Sequence, residues 1–519
     1  MTTALHTAHP AATLAHDQLH ALGAGDGDVE LVVDWSGPVA LPLACEVLVQ
    51  AACGIMAVHG RARGEPTPLA VDYATTVSGV LAAQGVLAAE FARRRGSPVR
   101  SVRTSVAQAA LLSVGQYIAC GSAELPADPG TPPPFTSADG VRFEVETLRA
   151  EDWQRFWRTA GASEEALRQG WAPFLHRFAT AVCPLPDTLH DTLSRLSMSD
   201  ILAASGESGV SIVPLTTHAP VPPWTFTPLP GRRPAPVSGA DLAAPLRGVL
   251  VVESTRRVQG PLAGHVLSLL GAEVLRIEPP GGDPARGVPP FAGSVSARFA
   301  ALNAGKRVVE LDLTTTAGRT AARELVADAD VFLHNWAPGR AGAWELDADD
   351  LAAVRPGLVY AAASGWGPHL GPHPPIGTDY VVQAHSGLAA ALRPPGEPPA
   401  PSLMTVTDVL GGLVCAQGVL AALLRRTGTR VDTSLLSAAG VVPRHRREFP
   451  PLQRTLDGMV AAAGTMPPGV AADELTTEDL LDRLQAHDVP AVAVTTDLGA
   501  LAADPRFAYA PHRPPWEFT

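Results

Sequence analysis

Asp408 is the residue whose setting most invites chemistry. It opens the apolar run DVLGGLVCAQGVLAALLRR at 408–426, whose spacing predicts a helix that ends near Arg425, Arg426 and Gly428. A helix N-terminus favours the ionised form of a carboxyl group, and an ionised carboxylate is a nucleophile at neutral pH. Gly411 and Gly412 weaken that helix by about 1 kcal/mol each against alanine. The cost makes sense if a bulky group must approach the first turn. From the residues alone a second reading stays open, in which Asp408 is an N-cap and the glycines permit close helix packing. His6, His9, His16 and His20 invite a metal, and His16 and His20 share a helical face, but no ligand set is completed around them. His369 and His373 lie among prolines and read as loop. His385 reads as a satisfied near-core histidine.

The elements that must position Asp408 begin at LRGVLVVESTRRVQGPLAGHVLSLLGAEVLRIEPPGGDPARG, residues 246–287. Val249–Val252 reads as a short buried strand, Gly260–Leu270 has helical spacing, and Ala272–Ile277 reads as a second strand. Strand, helix, strand is a βαβ unit and implies a parallel sheet. The alternation continues through RVVELDL, TAGRTAARELVADA, VFLHN, DADDLAAVRP and LVYAAAS. The fold class is α/β, a doubly wound parallel sheet. No G-x-G-x-x-G follows the first strand, so the sheet does not imply a nicotinamide nucleotide.

An internal repeat divides the chain. Residues 46–89 lie over 379–422 without a gap, with Gln50 on Gln383, Gly54 on Gly387, Pro68 on Pro401 and the block QGVLAA in both. Beyond it, VRTSVAQAA matches VDTSLLSAAG, Asp139-Gly140 matches Asp457-Gly458, and PPWTFT at 222–227 matches PPWEFT at 514–519. The chain therefore holds two copies of one module. The first lacks the α/β stretch equivalent to 246 to about 370, and the second is shortened after Gly458. Expected boundaries are a flexible tail at 1–27, a truncated first copy at 28–227, a Pro- and Gly-rich linker at 228–244, and a second copy with a small α+β part at 245–519. Thr75 falls opposite Asp408, and Asp72 is three residues early, so one active site per chain is expected.

Composition narrows the partners. Against 39 basic residues stand 51 acidic ones, a net charge of −12, which argues against a nucleic-acid binder. Five scattered cysteines without a CxxC pair read as reduced. No uninterrupted apolar run reaches about 18 residues, and the start lacks a secretion signal's pattern. The expected location is cytoplasmic, with no membrane partner.

The second copy resembles the family III CoA-transferases, the CaiB/BaiF superfamily that includes formyl-CoA transferase and α-methylacyl-CoA racemase. The motifs LRGVLVVEST-RRVQGP, LLGAEVLRIEPPGGDPAR, NAGKRVVELDL, VFLHNWAPG, VYAAASGWG, DYVVQAHSGL and TDVLGGLVCAQGVLAALLRRTG carry the resemblance, in family order over about 246–440. It implies that Asp408 attacks an acyl-CoA thioester and works through a mixed anhydride and an aspartyl-CoA thioester. CoA is then a substrate, no cofactor stays bound, and the partners are an acyl-CoA and a carboxylic acid. By position in the family, CoA would meet Arg256, Val258, Arg276, Lys306, Asn335 and Trp336. A family arginine beyond that tryptophan falls on Ala343 here, with Arg340 three residues earlier. Asp379 matches an acidic family position and would orient the acyl group or act as a local acid/base; capping or loop hydrogen bonding is the equal alternative. Racemases of the superfamily have a histidine where Thr378 stands, which counts against α-proton transfer. A non-catalytic CoA-binding scaffold is the reading from another class. Family members form interlocked homodimers. The tandem arrangement predicts an intrachain pseudo-dimer, or a homodimer, in which the first copy's segments serve the second copy's site.

Overall fold

The computed structural model describes residues 9–24, 28–121, 130–233, 241–508 and 510–519. Its centre is a seven-stranded sheet in the order Arg307–Glu310, Glu273–Glu278, Leu250–Ser254, Val331–His334, Val359–Ser364, Thr427–Ser434 and Thr225–Arg232. The first six run parallel and the last is antiparallel. The central strands are short apolar runs because helices cover both faces. Helix Gln259–Leu269 packs with Val406–Leu423 on one side. Thr316–Ala327 and Ala348–Val354 cover the other, over Phe332 and Tyr360.

The seventh strand belongs to the first copy. Residues 225–232 leave that copy and pair with Thr427–Ser434 of the second, Thr225 opposite Asp432. In return Glu517–Phe518 pairs with Ser101–Ser105 of the first copy. The repeated PPW segments are thus two exchanged tails, each completing the other copy. Trp224 Nε1 donates to the Val414 carbonyl at 2.8 Å, and Trp516 Nε1 donates to the Leu81 carbonyl at 2.6 Å. Each indole lies where the glycine of QGVLAA leaves room. A Cβ on Gly418 would sit 2.8 Å from Trp224 Cδ1, and one on Gly85 2.8 Å from Trp516 Cδ1. The repeated Asp-Gly pairs close equivalent turns, Asp139-Gly140 before strand Arg142–Glu146 and Asp457-Gly458 before Met459–Ala462.

Two expected boundaries are corrected. Within the expected tail, Pro10–Ala21 is a helix that buries Ala11, Ala15 and Leu19 against Tyr73–Arg93. Within the expected linker, residues 228–232 are sheet, and 234–240 lie outside the described residues. His6 also lies outside them. The helices Tyr73–Arg93 and Val406–Leu423 are long and apolar enough to cross a membrane, yet 94% of each apolar window is buried in protein. They pack on each other as the shared core of the two copies. All five cysteines are free thiols.

Candidate active site

Asp408 is the third residue of helix Val406–Leu423, and Thr405 occupies the cap position. Capping comes from another element. Asp379, the first residue of helix Asp379–Ser386, accepts the Asp408 N–H at 2.8 Å and the Thr407 hydroxyl at 2.7 Å on Oδ1. Gln383 Nε2 donates to Oδ2, and Gln383 is itself pinned by Ser402, whose N–H donates to Oε1 at 2.8 Å. Asp379 is therefore a helix cap that fixes the backbone of Asp408.

The first copy repeats this frame. Glu46 accepts the Ala74 and Thr75 N–H groups at 2.8 and 2.9 Å and the Thr75 hydroxyl at 2.6 Å, with Gln50 behind it at 2.9 Å. Thr75 stands in the nucleophile's place with its hydroxyl engaged. Asp72 is held by Arg447, at 2.6 Å from Nη2. This tie keeps Asp72 from the place where a shifted nucleophile would have to stand.

No group among the described residues donates a hydrogen bond to the Asp408 carboxylate. Burial and the neighbouring Asp379 charge push its pKa well above the usual carboxylate range, and Arg257 opposes them. Asp379 is raised less, because burial is offset by the donors around it. The helix N-terminus thus does not by itself set the charge of Asp408, as the sequence reading had it. Desolvation and a like charge outweigh it.

Asp408 and Asp379 face a pocket of about 20 Å³ whose other walls come from both copies. The second copy supplies Arg257, Thr378 and Tyr380. The first copy supplies Glu146, Leu148, Leu175, Arg177 and Phe178. Arg177 is fully enclosed. It donates to Glu146 at 3.0 Å and to the Phe174 carbonyl at 2.6 Å, and it lies over the Tyr380 ring at 4.7 Å. The Thr378 hydroxyl donates to the same Glu146.

A second, larger cleft of about 360 Å³ lies at the carboxyl ends of the central strands, the ligand edge of such a sheet. Arg256, Asn335, Trp336 and Arg340 all line it. Asn335 also braces the first βα turn, since its side chain bonds both the N–H and the carbonyl of Arg256 at 2.8 Å. Trp336 is anchored by its Nε1 on Ser254 Oγ at 3.1 Å and by the edge of Trp344. Arg340 lies over Trp344 at 5.2 Å.

Three expected contacts are corrected. Val258 is fully buried and caps helix Gln259–Leu269. Arg276 is buried in ion pairs with Glu253 at 3.0 Å, Glu278 at 3.1 Å and Asp283. Lys306 is buried on Glu253 at 2.9 Å, and burial pulls its pKa down to about 8. Arg276 holds the cleft wall in place through Glu278 and Asp283, and both cations are buried on their acids rather than presented to a ligand. The glycines are corrected too. A Cβ on Gly412 would lie 2.6 Å from the Gln259 carbonyl, and one on Gly411 2.9 Å from Gln259 Nε2. What approaches the first turn is the neighbouring helix. Among the described residues no cluster of histidine, cysteine and acid could hold a metal. His9 caps the first helix and accepts the Ala11 N–H at 3.2 Å. His385 stacks on His218, with centroids 4.1 Å apart, outside the pocket.

Sequence reasoning did not single out Arg257, Glu146, Arg177 or Phe178. The doublet Arg256-Arg257 was the one local signal. The other three come from the first copy, more than 200 residues away in sequence.

Comparison with known proteins agrees with the motifs. The CoA-transferase family III model matches residues 34–222 and 246–443. A Mycobacterium tuberculosis protein named as a probable fatty acyl-CoA transferase is 41% identical over 190 residues, 36% of this chain and 48% of its own. The succinate–glutarate CoA-transferase of Agrobacterium fabrum is 33% identical over 230 residues, 42% of this chain and 55% of its own. The chain spans about half the length of these curated relatives. The crystal structure of a CaiB/BaiF family protein from Brucella suis superposes with a TM-score of 0.45 at 25% identity, over 51% of this chain and 88% of that one.

Proposed function

From the premise that this chain belongs to CoA-transferase family III, we propose that it transfers CoA from an acyl-CoA to a carboxylic acid through Asp408. The carrying observation is a carboxylate that no hydrogen bond among the described residues engages, in a pocket beside a cleft lined by Arg256, Trp336 and Arg340. Asp408 attacks the thioester carbon of the donor, the C–S bond breaks, and a mixed anhydride and CoA thiolate form. The thiolate attacks the aspartyl carbon, the donor acid leaves, and an aspartyl-CoA thioester remains. An acceptor carboxylate displaces the thiolate to form a new anhydride, and the thiolate then takes the acceptor's acyl group and frees Asp408. Arg256 and Arg340 would meet the phosphates of CoA, and Trp336 offers a face for adenine. CoA enters and leaves as a substrate.

The frame around Asp408 supports this reading over α-proton transfer. Thr378, at the racemase histidine's place, has no basic group, and its hydroxyl is engaged by Glu146. A purely scaffolding role would leave the half-buried, unpaired carboxylate of Asp408 without a use.

Mass spectrometry tests the proposal. The protein is incubated with a panel of acyl-CoAs and then treated with hydroxylamine or borohydride. A label on Asp408 that Asp408→Ala loses is the expected result. Tight CoA binding by both proteins without any label would refute the covalent route and favour the scaffold.

A further inference from the structure

The reading above leaves one charged group of the pocket without a task. Arg257 lies in the turn after strand Leu250–Ser254, with φ of 65°, in the left-handed region. A non-glycine residue there carries strain of about 1–3 kcal/mol. The turn sends consecutive arginines to different places. Arg256 lines the larger cleft, whereas Arg257 lines the Asp408 pocket and lies over the Phe178 ring at 5.6 Å. Arg177 is the other cation of the pocket, and its Nη1 and Nη2 are engaged by the Phe174 carbonyl and Glu146. Arg257 makes no hydrogen bond and no ion pair among the described residues and is open to solvent.

We propose that Arg257 is the binding group for the acceptor acid's carboxylate, and that it takes this anion only after Asp408 has become the aspartyl-CoA thioester. The proposal rests on the Asp408 mechanism above. When Asp408 is ionised in the free enzyme, its carboxylate and Arg257 line one pocket. Acylation or thioester formation makes Asp408 neutral, and the pocket around Arg257 loses one negative charge. A carboxylate then restores it. Charge balance so orders the two half-reactions. The acid is repelled or poorly held while Asp408 is ionised and is drawn in when the aspartyl thioester is ready for attack. In that step a carboxylate oxygen of the acid bonds to the aspartyl carbon, the C–S bond breaks, and the thiolate leaves. When the thiolate next attacks the acid's acyl carbon, the bond to Asp408 breaks and its carboxylate is released.

The test separates the half-reactions in wild type, Arg257→Gln, Arg257→Lys and Arg256→Gln. The CoA adduct on Asp408 is measured by mass shift after acyl-CoA alone. The KM values for acid and for acyl-CoA are measured in the full reaction. Arg257→Gln is expected to form the adduct and to raise the KM for acid about 10- to 100-fold, the loss of charge-assisted hydrogen bonds. Arg257→Lys should restore part of that affinity. Arg256→Gln should raise the KM for acyl-CoA instead. An adduct in Arg257→Gln with an unchanged KM for acid would overturn this inference alone. Equal rises in both KM values would overturn it too, because a merely structural loss would do that. No adduct on wild-type protein would overturn both this inference and the transferase reading.

Discussion

Replacing Asp379 by Asn removes one charge beside Asp408 and changes one buried hydrogen bond. Both effects follow from the geometry. Asp379 is one of the two largest causes holding the Asp408 pKa high, and a like charge within about 4–6 Å shifts a carboxyl group by about one to three pH units. Attack requires the ionised form, so formation of the Asp408 adduct in wild type rises with pH through that raised value. With Asp379 neutral, Asp408 ionises at lower pH, and the midpoint of adduct formation moves down by about one to three pH units. The amide also meets a conflict. Its NH2 in the Oδ2 position faces Gln383 Nε2, whose partner oxygen Oε1 is held by the Ser402 N–H at 2.8 Å. Turning the amide over points it at the Thr407 hydroxyl and the Asp408 N–H instead. Either arrangement leaves donors opposed and costs about 1–3 kcal/mol of stability. The assay is the initial rate of adduct formation by mass spectrometry from pH 5 to pH 9.5, beside a denaturation curve. An unmoved midpoint, or one moved to higher pH, would refute the account of the pair.

Other consequences are open to measurement. Asp408→Asn should raise the thermal midpoint at pH 7.5 and leave it nearly unchanged at pH 4. A carboxyl raised in the folded state binds its proton more tightly there, so the wild type loses stability as pH climbs from the unfolded value towards the folded one. Gly418→Ala should cost about 1–3 kcal/mol in chemical denaturation, because its Cβ meets Trp224 and Val431 at 2.8 Å. Gly85→Ala should behave alike through Trp516 and Val102. A protease site introduced within 234–240 and then cut should leave one particle by size exclusion, since each half holds a strand of the other. Separation into two bodies would contradict the exchange.

Much of the site's frame could be read from residues, and what escaped has physical causes. The parallel sheet showed itself in its buried runs, and Asp408 in its place before an apolar helix. Strand Thr225–Arg232 was hidden by Pro228 and Pro230, which look like a linker. An antiparallel edge strand tolerates proline because its outer N–H groups have no partner. Arg276 and Lys306 looked like phosphate ligands because the acid they share, Glu253, is distant in sequence from both. Glu253 lies 23 residues from one and 53 from the other. The charge on Asp408 could not be weighed without knowing what buries it. The wall of its pocket formed by Glu146, Arg177 and Phe178 arrives from the other copy, and no local pattern announces that.

The exchanged tryptophan tails have one more implication. When two identical chains interlock, every substitution occurs twice, and the two halves cannot diverge. Here both halves lie on one polypeptide, so Thr75 and Asp408 can differ while their caps, Glu46 and Asp379, keep the same geometry. One half is free to give up reactivity and serve as the wall of the other's pocket. The stoichiometry of wall to nucleophile is then fixed at one to one by translation, at any concentration of the protein.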